Sequence, residues 1–217
     1  MTAISFPRAF PTATMLLEGA GFELVPMVNV QPNLAGSSLY TDIGPQLWKA
    51  SYRSRELDPL GLGDVRAFLD TLNGGQTFLA YDPLRRYPVT HKSGWGGLSW
   101  PGTAGAGVLS TKTGAVELGL TGLANGLTLE PGDYISWILP AGVYNLHRIV
   151  ATTPSSGVVA GNAIAIEVRP AIRNFTAATA CNLFQAACTM QVIPGSITEQ
   201  LTSPDLGVIG FEAKQVL

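Results

Sequence analysis

The chain has 217 residues, 46% of them hydrophobic and only 13% charged, with a formal net charge of −2. That length suits one large β domain or two small ones and is ample for a buried core. The basic residues form no run, which sets aside specific nucleic-acid binding, and no stretch approaches the roughly 18 uninterrupted apolar residues of a membrane span.

The charged share is about half the roughly 25% of an ordinary soluble chain. Two readings fit: a subunit that covers much of its outside with neighbours, or a Gly/Ala-rich β protein with a neutral polar surface. Arg8 is followed by Pro11 and by no continuous apolar core, so a signal-peptide layout is not expected and synthesis in the cytosol is.

Residues 1–47 are punctuated by Pro7, Pro11, Pro26, Pro32 and Pro45. Residues 22–30 read as a strand interrupted by Pro26, hence an edge or bulged strand. Gly36, Ser37 and Ser38 read as a turn into a short strand at Leu39, Tyr40 and Thr41, and an extended N-terminal arm fits this stretch.

Residues 48–88 predict strand, helix, strand. Trp48, Ala50 and Tyr52 fall on one face of a strand, with Lys49, Ser51 and Arg53 on the other. Val65, Phe68, Leu69 and Leu72 then recur at helical spacing and predict a helix over 64–73, capped by Asp64 and ended by Asn73, Gly74 and Gly75. So short a helix does not persist alone in water and must pack on a sheet. A β-favouring strand over 77–81 follows.

Asp82 and Pro83 end that strand, and Arg85 and Arg86 sit on the turn beyond it. Adjacent turn residues point to different sides, so one of these arginines is a candidate to reach a partner, against a reading as solvated charge. Residues 89–107 read as loop, with Trp95 and Trp100 set among glycines. The two rings either meet a partner or a sugar or pack on a neighbouring surface of the same fold.

From 115 to 173 the pattern is β throughout. Val116, Leu118 and Leu120 alternate with Glu117 and Gly119; strands are also expected at 123–129, 134–138, 143–150 and 163–168. Turns at Glu130–Pro131–Gly132–Asp133, Pro140–Ala141–Gly142, Ser155–Ser156–Gly157 and Gly161–Asn162 separate them. Further strands are expected at 189–193 and 206–213. Short strands at this spacing indicate a sandwich or small barrel.

The fold class is therefore mainly β: an antiparallel β-sandwich with one short α-helix packed on it, plus a second small β-barrel or sandwich domain. The expected organisation is a first β-sandwich domain over 1–107, a second β module over 108–175, and C-terminal strands over 176–217, of which those over 182–217 are candidates to return to the first domain.

Chemistry is thinly signalled. Ser136, His147 and Asp133 lie close in sequence but without a nucleophile elbow, and His147 in an alternating strand reads as a surface or half-buried imidazole. Asp58, Asp64, Asp70 and Asp82 cluster in sequence, and nothing selects an acid–base pair among them; Asp64 and Asp70 have structural readings on the helix and Asp82 in a turn. No phosphate loop or dinucleotide fingerprint occurs. Cys181 and Cys188 admit two packed thiols or a small-loop disulfide, and zinc would need further ligands that the distant His91 and His147 do not supply nearby. No catalytic, cofactor or metal residue is assigned.

Several stretches carry a resemblance. Trp48 to Arg55, Val65 to Gly74, Phe78 to Pro83 and Arg86–Tyr87–Pro88 look like the N-terminal part of phage tail-tip proteins. Gly126 to Trp137, Gly142 to Val150, Ile166 to Arg173, Met190–Gln191–Val192 and Phe211–Glu212–Ala213 are similar to tail components of long-tailed phages and prophages. The chain from about residue 45 to 215 resembles the distal tail protein of long-tailed, siphovirus-like phages or a related minor tail protein; the first 44 residues carry none of it.

The resemblance implies a non-enzymatic virion protein of the tail tip. It would be made in the host bacterial cytoplasm and assembled as a ring, commonly a hexamer, between the tail tube protein and the hub and receptor-binding parts, with 1–107 as the ring-forming domain. It brings no catalytic residues or cofactors. Trp95, Trp100, Arg85 and Arg86 are the expected interface residues. Two rivals stand beside it: a carbohydrate-binding module reading the host surface through Trp95, Trp100 or Trp137, and a wall hydrolase, for which no site is recognisable.

Overall fold

A computed structural model describes residues 4–11, 17–32, 38–203 and 205–216. Among these residues thirteen strands divide between a seven-stranded sheet and a closed six-stranded barrel, and the fold they make is mainly β with one α-helix.

The sheet takes strands from both ends of the chain. These are β1 (Arg8–Ala9), β2 (Leu17–Pro32), β3 (Ser38–Ser54), β4 (Phe78–Tyr81), β11 (Ala187–Val192), β12 (Thr198–Ser203) and β13 (Leu206–Gln215). Their order is β1-β4-β11-β13-β3-β2, with β12 also on β13. All pairs are antiparallel except β1 with β4, which is parallel.

Trp48, Ala50 and Tyr52 of β3 are buried as their alternation requires, and Lys49 on the opposite face pairs with Glu212 of β13 at 3.0 Å. Pro26 lies at register shifts in β2, an edge strand, where its missing N–H leaves no ladder bond unmade. The turn expected at Gly36 and Ser37 lies outside the described residues.

The helix α1 (Pro59–Thr71) begins earlier than the expected 64–73. Its N-cap is Asp58, which accepts from the Gly61 amide at 2.8 Å, not Asp64, which lies exposed in the helix. Gly61 and Gly63 are poor helix formers and hide the first turn in the sequence. Pro59 at the first helical position was the available signal. Leu62, Val65, Phe68 and Leu69 are buried, and Gly74 and Gly75 leave the helix with positive φ of 78° and 86°. The apolar face joins Phe10, Tyr52, Phe78, Tyr81 and Phe211 in one core; Phe68 meets Phe78 edge-on at 5.8 Å.

The barrel is built from β5 (Ala106–Thr113), β6 (Glu117–Thr121), β7 (Tyr134–Ile138), β8 (Tyr144–Thr153), β9 (Ala163–Arg169) and β10 (Ala180–Asn182), closed in the order β10-β5-β6-β9-β8-β7. Its strands thus span 106–182 rather than 108–175. The difference is β10, three residues long, which pairs with β5 on one side and β7 on the other and closes the wall. β5 begins in what the sequence pattern left as loop, and β12 falls between the two expected C-terminal strands.

Residues 123–129 are not a strand. They make one isolated bridge, Thr128 to Val158, while Leu123, Leu127 and Leu129 are fully buried in the barrel core. The core also holds Leu109, Leu118, Leu120, Ile135, Ile149 and Val168.

The β7–β8 hairpin joins the two units because both of its faces are buried. Ile135, Trp137 and Ile149 enter the barrel core, while Tyr134 and Leu146 belong to the core of the sheet. The Trp48 indole donates to the Leu146 carbonyl at 2.8 Å, the Ala187 amide to Ser136 Oγ at 3.1 Å, and the Tyr144 amide to Thr189 Oγ1 at 2.9 Å. The Arg148 guanidinium lies 5.0 Å from the Trp48 ring centroid and donates to the Tyr134 hydroxyl at 2.9 Å.

Candidate functional site

Ser136, His147 and Asp133, which lie close in sequence, each make separate contacts within the fold. Ser136 faces the sheet, where its hydroxyl oxygen accepts from the Ala187 amide. His147 stacks on Trp137 with ring centroids 4.4 Å apart and planes within 2°. Its Nδ1 meets the Pro170 carbonyl at 2.8 Å, and its Nε2 is buried with no hydrogen-bond partner among the described residues. Burial pulls its pKa down from 6.5 to about 4; the Pro170 bond opposes that shift and the Arg173 charge adds to it.

Asp133 is buried and accepts from the Val89 and Glu130 amides, both at 2.8 Å. Its carboxyl is nonetheless raised above the usual range, chiefly by desolvation. The three residues serve three different contacts and form no relay. Asp58 and Asp82 cap the turns that follow them, Asp82 accepting from the Leu84 amide at 2.9 Å. Asp64 and Asp70 are exposed on α1.

Cys181 sits in the barrel core and Cys188 in the sheet core, so the two thiols are separate, free and buried. Burial pushes Cys181 up to about 12 and Cys188 well above its usual value. Among the described residues no group of three or more His, Cys, Asp or Glu is placed to hold a metal ion.

Of the four expected interface residues, the tryptophans come together. Trp95 and Trp100 meet at 5.0 Å, edge to face, and both pack on the barrel core. Tyr87 meets Trp95 at 5.2 Å and Phe184 at 4.7 Å, which ties the glycine-rich loop to the start of the returning chain. These rings are half-buried within their own chain.

The arginines diverge as their adjacency implies. Arg85 turns toward Gly132 and lies 3.9 Å from Asp133, too long for a hydrogen bond and a charge contact only. Arg86 is exposed. With the Gln185 amide oxygen turned toward it, its Nε and Nη2 donate at 3.1 and 2.9 Å.

The broadest unpartnered feature is one that sequence reasoning divided into separate short strands. β2 and β3 pair from Leu17 opposite Ser54 to Pro32 opposite Ser38. β13 pairs with β3 only over Lys49–Arg53, so from Leu47 toward the hairpin turn no third strand pairs with the ribbon among the described residues. About eight residues per strand at roughly 3.3 Å each make a projection of about 25 Å.

The ribbon carries exposed apolar side chains: Val25 at 38%, Met27 at 40%, Val30 at 46% and Ile43 at 69% of full exposure. At its base Val25, Met27, Leu47 and Ile193 line an apolar cleft of about 190 Å³. The available signal was the pairing of the 22–30 pattern with the strand at 48–53 across a hairpin whose turn is not described here.

No protein-family model matches the chain, and no curated protein matches it. No helix among the described residues is long and apolar enough to cross a membrane.

Proposed function

We propose that this chain is a distal-tail-type structural subunit of a long-tailed phage, assembling into a ring that joins the tail tube to the tail-tip hub and the receptor-binding parts. The observation that carries the reading is the β2–β3 ribbon. A two-stranded ribbon is marginal in water by itself, and this one leaves Val25, Met27, Val30 and Ile43 exposed. A neighbouring subunit laid along it would cover those side chains and the unpaired edge of β2.

The sheet has two unlike edges, β2 at one side and β1 with β12 at the other. A contact that uses unlike surfaces is head-to-tail, and such contacts close into rings when the rotation permits. The low charged fraction of 13% suits a subunit with several covered faces. The motif resemblance between residues 45 and 215 supplies the phage tail context and the expectation of six subunits. In this reading Trp95 and Trp100 stabilise the subunit, Arg86 remains a surface contact, and the ribbon makes the ring.

The test is native mass spectrometry of the full chain across a concentration range, beside a Val25→Lys/Ile43→Lys variant. A closed oligomer that the variant loses, with an unchanged thermal transition, supports the reading. An oligomer indifferent to both substitutions removes the ribbon from the interface.

A further inference from the structure

At one end of the barrel, beyond the last residues of β7, an open groove of about 670 Å³ lies between the β7–β8 turn and the chain that follows β9. Leu139, Val143 and Phe175 form its apolar lining, and Lys112, Arg173 and Asn174 its polar one. Its volume falls in the range of pockets that take small organic ligands.

The charges in the groove are unbalanced. Among the described residues no carboxylate lines it, although acidic residues outnumber basic ones in the chain. Lys112 is steadied by donating to the Ile172 carbonyl at 3.2 Å, and among the described residues it has no carboxylate partner. Arg173 makes no hydrogen bond or ion pair among the described residues. Arg53, Arg66 and Arg169, by contrast, each meet a glutamate. Two cations left without counter-charge in one concavity favour an anion there.

Phe175 gives the ligand a second requirement. It packs on the barrel core and also lines the groove, with Asn174 and Thr176 on either side of it. An aromatic ring between an amide and a hydroxyl suits a ligand with one apolar face and a rim of hydroxyls, which is a sugar ring. A peptide is served less well. The barrel is closed and offers no strand edge to pair with a peptide backbone.

We propose that this groove binds an anionic sugar unit, a uronic acid or a sugar phosphate. Arg173 and Lys112 hold the carboxylate or phosphate, Phe175 lies under the ring, and Asn174 bonds a hydroxyl. The site is independent of the ribbon and of ring assembly, so it stands or falls separately from the structural role.

The test uses the full chain and isothermal titration with glucuronic acid, glucose 6-phosphate, glucose, inorganic phosphate and an oligoglutamate peptide. The expected result is binding of the first two, with glucose and phosphate each weaker by about tenfold, the equivalent of one charge-assisted bond. Arg173→Gln and Lys112→Gln each lower affinity by about the same factor without moving the thermal transition. Arg55→Gln, an exposed cation elsewhere, leaves affinity unchanged. The proposal is overturned by no binding, by phosphate binding as well as glucose 6-phosphate, by glucose binding as well as glucuronic acid, by tighter binding of the peptide, or by indifference to Arg173→Gln.

Discussion

Protonation of His147 should loosen the barrel in mild acid. The imidazole is fully buried against Trp137, its Nε2 has no partner among the described residues, and its pKa in the folded chain is about 4 against 6.5 in the open. A depressed folded pKa means stability that is present above the unfolded value. That stability is lost as pH falls from about 6.5 toward about 4 and levels off below it.

The difference of about 2.5 units corresponds to about 3 kcal/mol, a large part of the roughly 5–15 kcal/mol that holds a domain folded. Asp133 does not mimic the effect. Its raised carboxyl contributes stability that is present below its unfolded pKa and lost as pH rises, the opposite sign. The comparison is wild type against His147→Phe, which keeps an aromatic ring on Trp137 but cannot titrate. Urea unfolding followed by tryptophan fluorescence from about pH 8 to about pH 4 should show the wild-type stability falling relative to the variant by about 3 kcal/mol. A difference that stays flat across that window, or an NMR titration of the imidazole near 6.5 in the folded chain, would refute the buried neutral His147.

Other changes test the packing. Gly157 has a φ of +68°, and a Cβ there would run into the Leu129 carbonyl oxygen, so Gly157→Ala should cost more than about 2 kcal/mol in chemical denaturation. Gly126→Ala, with a φ of +81° but open space around it, should cost only about 1 kcal/mol. Trp48→Phe removes the donor to the Leu146 carbonyl at the junction of sheet and barrel and should destabilise by about 1–3 kcal/mol, read as a shifted urea midpoint. Cys181 and Cys188, buried and with raised pKa values, should resist a thiol reagent until the chain unfolds; rapid labelling of the native protein would contradict their burial.

What the sequence made legible was what repeats locally. The alternation through Trp48, Ala50 and Tyr52 marks a buried strand face, and the spacing of Val65, Phe68, Leu69 and Leu72 marks a helix stripe; all are buried where that pattern requires. Non-local pairing was not legible. β10 is three residues long and has no periodicity of its own; it is a strand because β5 and β7 flank it. Leu123, Leu127 and Leu129 have strand-like composition, yet they plug the barrel as irregular chain.

The same limit applies to the candidate site. Trp95 and Trp100 look exposed beside so many glycines, but Trp95 meets Tyr87, which in turn meets Phe184 from a distant part of the chain. The continuous β2–β3 ribbon was hidden by Pro26 and Pro45, which read as breaks but sit inside strands that absorb them. The groove at the barrel end gathers Lys112, Val143 and Arg173 from three separate segments.

The central claim is that the subunit forms a ring through its ribbon, and cryo-electron microscopy of the concentrated 217-residue chain tests it most directly. The account expects closed rings with a central channel, each β2–β3 ribbon lying against the neighbouring subunit. Particles that stay monomeric at every concentration, or rings whose ribbons project free into solvent, would contradict it.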